Sequence, residues 1–424
     1  MKNNNDITCN KLFFQPLFDA LASAPSKREC STYSDQDFLK SGVERIIHAA
    51  PSGRAHVQYI IASGVPLSVR NFFANLSSKR RLNVLTEVSR KVCQHVNQYI
   101  CANNDPLKHY PELKNFDIYA SDGHQRKASA HEEKRVGKKR PTKDIFSLNV
   151  RTHSLSYLSL VEPDKNMKDK HEITTLKQLS AQKLSLGAPV GRRVIHIYDP
   201  AIINYMEWHR WKHRFGIYII TREKSSSQLI TQFEIPWDSN DLRNSGVLSD
   251  EAVGMKNGYT FRRVTYQDPV EGKTYRFITT EMKIPPGLIA SLYKSRWDIE
   301  KVFDEIKNKF GQKQSWGKTR ISKQQQAEFI TLAHNLTLLF EKYLEKEEGI
   351  RDEKVYRKQY ERHKRAMAKA KKSGQEYMPF LTIPVRATQR SFQFIRWLRS
   401  HLIQKTSYNE AVKTLQPLMM AYLY

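Results

Sequence analysis

The chain has 424 residues, 39% hydrophobic and 11% aromatic, which is enough for a sizeable core and for two or more domains. Its formal net charge is +27, because 70 lysines and arginines outnumber 43 aspartates and glutamates. This excess indicates a polyanionic partner, nucleic acid before an anionic membrane surface, and disfavours an enzyme of small molecules. No apolar run reaches the roughly 18 residues of a membrane span, and the start lacks a secretory-signal pattern. We therefore expect a cytoplasmic protein without membrane segments.

Residues 1–110 are predicted to be helices separated by short breaks. The clearest periodicity covers residues 84–100, where apolar side chains recur at helical spacing. Basic residues, Arg45, Arg70 and Arg81 among them, are scattered between apolar ones upstream. A DNA-binding region and a purely structural helical cap both fit this pattern, and no helix-turn-helix motif stands out.

The first predicted strand covers residues 116–121 and ends in a turn that carries Asp122 and Gly123. An Asp-Gly turn is frequent, so Asp122 alone says little. A basic, loop-like run follows over residues 124–143. Two further strands, at 145–151 and 155–161, and a helix over about 171–184 come next.

A second important strand covers residues 194–198, a continuous apolar and β-branched run typical of a sheet centre. It ends at Asp199, and Pro200 suits the first turn of a helix predicted over 201–214. A further strand is predicted at 217–221. The order is strand, aspartate, helix, strand.

Residues 224–283 are predicted to be β-rich, with strands at 228–235, 259–266 and 274–280 separated by turn signals. Near the end of the chain, an amphipathic helix is predicted over 324–347 and a more apolar helical piece over 389–423. Between them lies a very basic helical run, 351–372. We interpret this run as a contact for DNA phosphates in preference to a solvated helix.

The most informative stretch is residues 292–311, predicted as one helix that begins after a Pro-Pro-Gly sequence and ends at Gly311. At about 100° per residue, one strip roughly 60° wide carries Tyr293, Arg296, Glu300 and Lys307. An adjacent apolar strip, fit to pack on a core, consists of Leu292, Ile299, Phe303, Ile306 and Phe310. The polar strip is either a solvated helix face or a site. Its carboxylate can bind a metal, and its cations can hold phosphate oxygens.

The spacing Tyr-x2-Arg-x3-Glu-x6-Lys resembles, at all four positions, the YREK signature of the insertion sequence 4 family of DDE transposases, which are enzymes of bacterial insertion sequences. In that family the glutamate is the third metal-binding carboxylate of an RNase H-like core. The resemblance thus demands two upstream aspartates, each at the end of a strand. Asp122 and Asp199 meet that demand, although Pro200 departs from the polar residue that often follows the second aspartate.

The resemblance implies an α/β fold, an RNase H-like core with a mixed sheet that is interrupted by a β-rich insertion and flanked by helical N- and C-terminal regions. It covers about residues 117–344. The expected regions are a DNA-binding N-terminal region (1–110), the first part of the core (111–223), the β-rich insertion (224–283), the second part of the core (284–345) and a basic helical C-terminal region (346–424).

By the same resemblance, the residues that hold metal and carry out catalysis are Asp122, Asp199 and Glu300, and those that bind DNA are Tyr293, Arg296 and Lys307. The implied cofactor is Mg²⁺, with Mn²⁺ as a substitute. Two divalent ions about 3.5–4 Å apart can serve both ends of an in-line phosphodiester displacement, and Mg²⁺ prefers oxygen ligands. The four cysteines form no paired Cys-x-x-Cys pattern, so zinc is not favoured.

The predicted activity is cut-and-paste transposition: water attacks to free a 3′-OH at the transposon end, and that hydroxyl then attacks target DNA. The implied partners are double-stranded DNA, as transposon ends and target, and a second copy of the chain in a homodimer, at the bacterial nucleoid. Trp237 is a candidate for stacking a flipped base, with a core or surface role as its alternative. Two other functions stay open: a domesticated, catalytically silent DNA-binding relative, and a two-metal nuclease that does not join DNA.

Overall fold

The strands in the described part of the chain lie in one mixed sheet. The computed structural model describes residues 7–24, 33–105, 107–134, 137, 139–161, 171–189, 191–255, 258–268, 272–351, 353–372, 374, 390–404 and 406–420. The strands are β1 (Phe116–Arg126), β2 (Thr142–Asn149), β3 (Leu155–Val161), β4 (Arg193–Ile197), β5 (Ile217–Arg222), β6 (Ile230–Glu234), β7 (Val247–Gly254), β8 (Thr260–Gln267) and β9 (Thr274–Thr279). Over these residues they form a nine-stranded sheet in the order β3-β2-β1-β4-β5-β9-β8-β7-β6.

The direction of the strands changes along the sheet. β1, β4 and β5 are parallel neighbours, whereas β2 pairs antiparallel with β1, and β3 pairs antiparallel with β2. The predicted β-rich insertion continues this sheet. Its last strand, β9, pairs antiparallel with β5. From β9 to the edge of the sheet the order is β8, β7 and β6, each antiparallel to its neighbour. The mixed sheet with helices at both ends of the chain confirms the predicted RNase H-like fold class.

Helices surround the sheet and fill both ends of the chain. In the first part lie α1 (Cys9–Ala22), α2 (Asp35–Ile47), α3 (Gly53–Ala62), α4 (Val69–Asn75) and α5 (Lys79–Asn104). The middle contributes α6 (Glu172–Leu176), α7 (Ala181–Leu184), α8 (Tyr205–Phe215), α9 (Pro286–Lys294), α10 (Trp297–Asn308) and α11 (Arg320–Glu347). The last part contributes α12 (Glu353–Lys372), α13 (Phe392–Ile403) and α14 (Tyr408–Met420). None of the described helices is long and apolar enough to cross a membrane.

Besides the signature stretch, three predicted helices are interrupted, and capping side chains account for two of these breaks. Ser180 starts α7 by accepting a hydrogen bond from the Lys183 amide at 3.2 Å, so the helix predicted over 171–184 is two short helices. Asn204 likewise accepts from the Glu207 amide at 3.0 Å, so α8 begins after a separate 3-10 turn at Pro200–Ile202. These side chains satisfy first-turn amides and therefore favour a new helix start. The predicted C-terminal helical piece is divided into α13 and α14.

The two faces of the sheet bury different side chains. Ile118 and Ala120 of β1 belong to a large core that also contains residues of α10 and α11, whereas Tyr119 belongs to a second core with residues of α8. β4 follows the same alternation, with Ile195 and Ile197 in the large core. The helices α1, α2 and α5 also contribute to the large core, so the N-terminal region packs directly on the sheet-covering helices. The domain boundaries stay a prediction.

Candidate active site

Asp122 and Asp199 lie at the same end of two adjacent parallel strands. Ala120 of β1 is opposite Ile197 of β4, and each aspartate comes two residues later in its chain segment. Because alternate residues of a strand share a face, Asp122 belongs to the face that carries the large core and α10, and Asp199 follows the end of the neighbouring strand. A position at opposite sheet edges, which would rule out a common site, is not what the structure has.

The predicted turn at Asp122 and Gly123 is wrong. β1 continues through Arg126, and Asp122 pairs with Phe146 of the antiparallel β2. The basic run predicted as a loop therefore begins with strand residues, and Arg126 forms a fully buried ion pair with Asp144 of β2. The long-range pairing with β2 supplies hydrogen bonds that a local Asp-Gly pattern does not reveal, and this extends the strand.

Asp199 ends its strand as a helix cap. Its side chain accepts a hydrogen bond from the Ala201 amide at 2.9 Å, and Pro200 occupies the first position of the 3-10 turn. Pro suits this position because its missing amide hydrogen would have no partner there. The departure from the family pattern at Pro200 is thus compatible with a half-buried carboxylate at the sheet end.

The signature stretch is two helices with a tight turn between them, so the prediction of one continuous helix is wrong at this point. The amides of Ser295 and Arg296 bond to the carbonyls of Leu292 and Tyr293, both at 3.0 Å, in the i to i−3 pattern of a tighter turn. The Ser295 hydroxyl also donates to the Leu292 carbonyl at 2.6 Å, which competes with the regular helical bond. The apolar strip is nevertheless buried at all five predicted positions: Leu292, Ile299, Phe303, Ile306 and Phe310.

Arg296 joins two of the three predicted carboxylates. Its Nη1 lies 3.2 Å from Asp122 Oδ2, and its Nη2 lies 3.0 Å from Glu300 Oε1. The Arg296 side chain is only 7% exposed, whereas that of Glu300 is 39% exposed. The structure therefore brings Glu300 of α10 to Asp122 of β1 through one guanidinium.

Charge is concentrated at Asp122. Burial raises the pKa of this carboxyl to about 6; the Gly123 amide and Arg296 lower it, and the negative charges of Asp199 and Glu300 raise it. Burial alone would lower the pKa of Arg296, but Tyr293, Asp122 and Glu300 offset that effect and the pKa is raised. The three carboxylates thus interact electrically, with Arg296 as their internal counter-charge.

The other two signature residues lie on either side of this centre. Tyr293 is half-buried at the end of α9, with its ring 5.0 Å from that of Phe277, and burial is the main cause that raises the pKa of its phenol. Lys307 is exposed on α10, about two turns after Glu300. Trp237 is half-buried in the segment after β6. Contacts of these side chains with DNA remain predictions.

The donor set suits a divalent ion in chemistry. Carboxylate oxygens are the ligands that Mg²⁺ prefers, and the mutual repulsion seen at Asp122 is what a bound cation would relieve. Within the described ranges, no three His, Cys, Asp or Glu side chains are arranged as a ready metal cage. Arg296 lies between Asp122 and Glu300 instead. Metal binding by these residues therefore stays a prediction.

Sequence reasoning missed His124. It follows Asp122 by two residues on the same face of β1, is 1% exposed, and its ring lies 4.7 Å from that of Phe303. Neither ring nitrogen has a hydrogen-bond partner among the described residues, and burial lowers the pKa of the imidazole to about 3. Ile118, Ala120 and Asp122 alternate along β1, and extending this alternation by two residues would have predicted His124 on the same face.

A comparison with protein families matches residues 123–336 to the family described as transposase DDE domain, half of the chain. The chain belongs to this family. A search of curated proteins finds no match. This DDE transposase family member carries Asp199, Tyr293, Arg296, Glu300 and Lys307 inside the matched range, and Asp122 immediately before it. Membership gives a transposase function in general, which acts on DNA with divalent metal ions.

The raised pKa of Asp122 gives a stability prediction. Its pKa of about 6 lies above the ordinary 3.8, so the folded state holds this proton more tightly than the unfolded state. The protonated Asp122 carboxyl therefore contributes its full stability below about pH 4, and this contribution is lost as the pH rises through 6. We expect Asp122→Asn to increase the free energy of unfolding at pH 8 by about 2 kcal/mol and to have little effect at pH 4.

Urea unfolding in the presence of a chelator at the two pH values measures this difference. Glu133→Gln is the matched control, because Glu133 is a 73% exposed carboxylate. If Asp122→Asn is less stable than wild type at pH 8, the ionised carboxylate stabilises the fold through its ion pair with Arg296, and the prediction is wrong.

Proposed function

We propose that the chain is a transposase of the insertion sequence 4 family, which excises and reinserts a bacterial insertion sequence by cut-and-paste chemistry. One observation carries the proposal: Arg296 spans Asp122 and Glu300, and Asp199 follows the neighbouring parallel strand at the same end. Three carboxylates far apart in sequence are what a two-metal phosphodiester site needs. The family match is in accord with this chemistry.

In this proposal Asp122, Asp199 and Glu300 hold the divalent ions, Mg²⁺ or Mn²⁺. When bound, such ions stabilise charge on the attacking and leaving oxygens of the phosphodiester. Arg296 then turns its two-pronged fork from the carboxylates to non-bridging phosphate oxygens. Tyr293 supports the guanidinium from the end of α9, in keeping with the electrical interaction between the two side chains.

The reaction sequence follows from one site acting twice. Water attacks the phosphodiester at the transposon end, the 3′ oxygen leaves, and it takes up a proton to become a hydroxyl. That 3′-OH next attacks a phosphodiester of target DNA, so one bond forms as another breaks, with no external energy source. Only the nucleophile changes between the two steps.

Further assignments rest on the same proposal. Residues 1–110 and the basic α12 bind DNA away from the catalytic site, two copies of the chain act together on two transposon ends, and the reaction takes place at the bacterial nucleoid. The support is the net charge of +27 and the basic sequence of α12. The regions 111–223 and 284–345 form the two parts of the core, and the β-rich insertion 224–283 interrupts them.

A strand-transfer assay with pre-cleaved ends tests the function. The substrate is taken from the inverted repeats that flank the gene, mixed with supercoiled target DNA and Mg²⁺ or Mn²⁺. Joined product supports the transposase. Cleavage of uncut ends without joining would indicate a nuclease, and end binding with neither reaction would indicate a silent DNA-binding relative.

Lys307 gives a prediction about the DNA ends. If its exposed ammonium contacts a phosphate, Lys307→Ala should weaken end binding and reduce the slope of log K against log salt by about 0.9. Gel-shift titrations at several salt concentrations, with a chelator present, measure the slope. Lys346→Ala at the end of α11 is the control, since Lys346 is about half exposed, pairs with the neighbouring Glu347 and lies over the Tyr99 ring. An unchanged slope for Lys307→Ala would make this lysine part of a solvated helix face.

A further inference from the structure

A buried arginine lies where the N-terminal helices meet the segment after α10. Arg45 of α2 is 4% exposed, and its guanidinium carbon lies 3.8 Å from the centre of the Trp316 ring and 5.5 Å from that of Phe72. Aromatic rings cover the flat faces of a guanidinium and leave its N–H groups, which lie in the plane, free for other partners. Nε and Nη1 have no hydrogen-bond partner among the described residues.

The positive charge of Arg45 has no counter-ion in the described part of the chain. Burial lowers its pKa to about 9, and no carboxylate counteracts this. Glu44, the preceding residue, interacts with Lys40 at 3.9 Å instead. The neighbouring imidazoles add no negative charge: burial and then Arg45 lower the pKa of His56 to about 3, and Nε2 of His56 and of His48 also lack partners in the described ranges.

One nitrogen of the guanidinium, Nη2, lies near the N-terminus of a helix. α3 begins at Gly53, and a Cβ added there would lie 3.3 Å from Arg45 Nη2 and 2.9 Å from the Phe73 ring. The missing side chain of Gly53 thus leaves room for Phe73 and Arg45 close to the backbone of the first turn. The Ser52 side chain accepts a hydrogen bond from the Ala55 amide at 3.1 Å, and the His56 amide makes the first backbone bond of the helix. The amides of Gly53 and Arg54 precede both and have no partner within the helix. A helix N-terminus and an unpaired arginine, side by side, form a strongly electropositive point.

We propose that Arg45 and the first turn of α3 bind a phosphate group, supplied by the DNA backbone. The forked donors of the guanidinium and the helix amides suit phosphate oxygens, and the exposed Pro51 and Ser52 leave the turn open to a polyanion. DNA as the source of the phosphate rests on the proposed function, whereas the phosphate chemistry does not.

Such a contact would be coupled to the catalytic strand. Trp316, on which Arg45 stacks, follows Ser315, whose amide donates to the Lys127 carbonyl at 2.9 Å. The Lys127 amide in turn donates to the Lys313 carbonyl at 2.9 Å. Lys127 directly follows β1, the strand of Asp122. A phosphate held at Arg45 would thus fix the register of DNA relative to the carboxylates.

Thermal unfolding with inorganic phosphate tests the site without DNA or catalysis. Wild type should gain stability with phosphate. Arg45→Met should lose this gain and should be at least as stable as wild type without phosphate, because methionine fits between the rings and removes an unpaired buried charge. Arg214→Met, at the exposed end of α8, is the control for general salt effects on stability.

A second pair of variants keeps the core unchanged. Ser52→Asp keeps an N-cap acceptor but adds a negative charge at the site, whereas Ser52→Asn caps without charge. We expect Ser52→Asp to lose the phosphate-dependent increase in Tm and Ser52→Asn to keep it. If Ser52→Asp, Ser52→Asn and Arg45→Met all show the same phosphate-dependent increase in Tm, the proposal of a phosphate site is wrong.

End-DNA titrations across salt concentration decide the source of the phosphate. For Arg45→Met and Ser52→Asp we expect a salt slope lower than wild type by about 0.9, which corresponds to one lost phosphate contact. An unchanged slope in variants that have lost the inorganic phosphate response would overturn DNA as the ligand. Failure of strand transfer by the wild type would leave the phosphate response unaffected, so the two proposals fail separately.

Discussion

Glu300→Gln is expected to abolish DNA cleavage and strand transfer while DNA affinity stays within about twofold of wild type. The substitution removes a metal ligand and a negative charge but keeps the shape of the side chain. A loss of about three orders of magnitude in rate corresponds to about 4 kcal/mol of transition-state stabilisation, a reasonable size for a metal-site ligand. Affinity rests on phosphate contacts spread over a basic surface, which this change does not touch.

The location of Glu300 allows its substitution to test metal binding without disturbing the core. Its side chain is 39% exposed and bonded to Arg296, so the amide should leave the buried face of α10 intact. Cleavage of end DNA with Mg²⁺ or Mn²⁺ measures activity, and a gel shift in chelator measures binding. Asp304→Asn, an exposed position on the same helix, is the control. Residual cleavage near wild type, or loss of binding without metal, would count against Glu300 as a ligand.

The parts of the site that the sequence predicts are those encoded by short periodicities. The apolar run that ends at Asp199 reads as a buried strand in any context. The alternation of Ile118 and Ala120 likewise assigns Asp122 to one face. The apolar strip of the signature helix predicts its buried side at every position tested, including Phe303. These features depend on two- or four-residue spacing, which local sequence records directly.

The parts that sequence reasoning missed depend on partners distant in the chain. The extension of β1 past Asp122 requires pairing with β2, and the break before α10 depends on a bond from the Ser295 side chain to the backbone. Arg45 looks like one more basic residue until Trp316, about 270 positions later, is found on its face. Burial of a charge is a tertiary property, and composition cannot show which arginine is unpaired.

Arg296→Gln is expected to raise the Mn²⁺ affinity of the DNA-free protein by about tenfold and, at the same time, to slow DNA cleavage. The guanidinium contacts Asp122 at 3.2 Å and Glu300 at 3.0 Å, so an incoming ion must compete with it for the same oxygens. A tenfold change corresponds to about 1.4 kcal/mol, a modest share of the attraction between close charges that are only partly screened. Cleavage should fall because a neutral amide cannot grip a phosphate as a charged fork does.

Arg296→Lys separates the two roles of this residue. It keeps the positive charge between the carboxylates, so Mn²⁺ affinity should stay close to wild type, while an ammonium cannot hold two phosphate oxygens and cleavage should still fall. Lys307→Ala is the matched control for metal binding, because Lys307 is exposed and about two turns from Glu300. Calorimetric titration with Mn²⁺ in the absence of DNA gives the affinities.

If Arg296→Gln binds Mn²⁺ more weakly than wild type, the guanidinium organises the carboxylates for the metal, and the idea that it competes with the metal is wrong. If affinity rises as expected, release of Arg296 links the loading of metal to the capture of DNA phosphate, since the side chain that the ion displaces is the one free to bind the substrate.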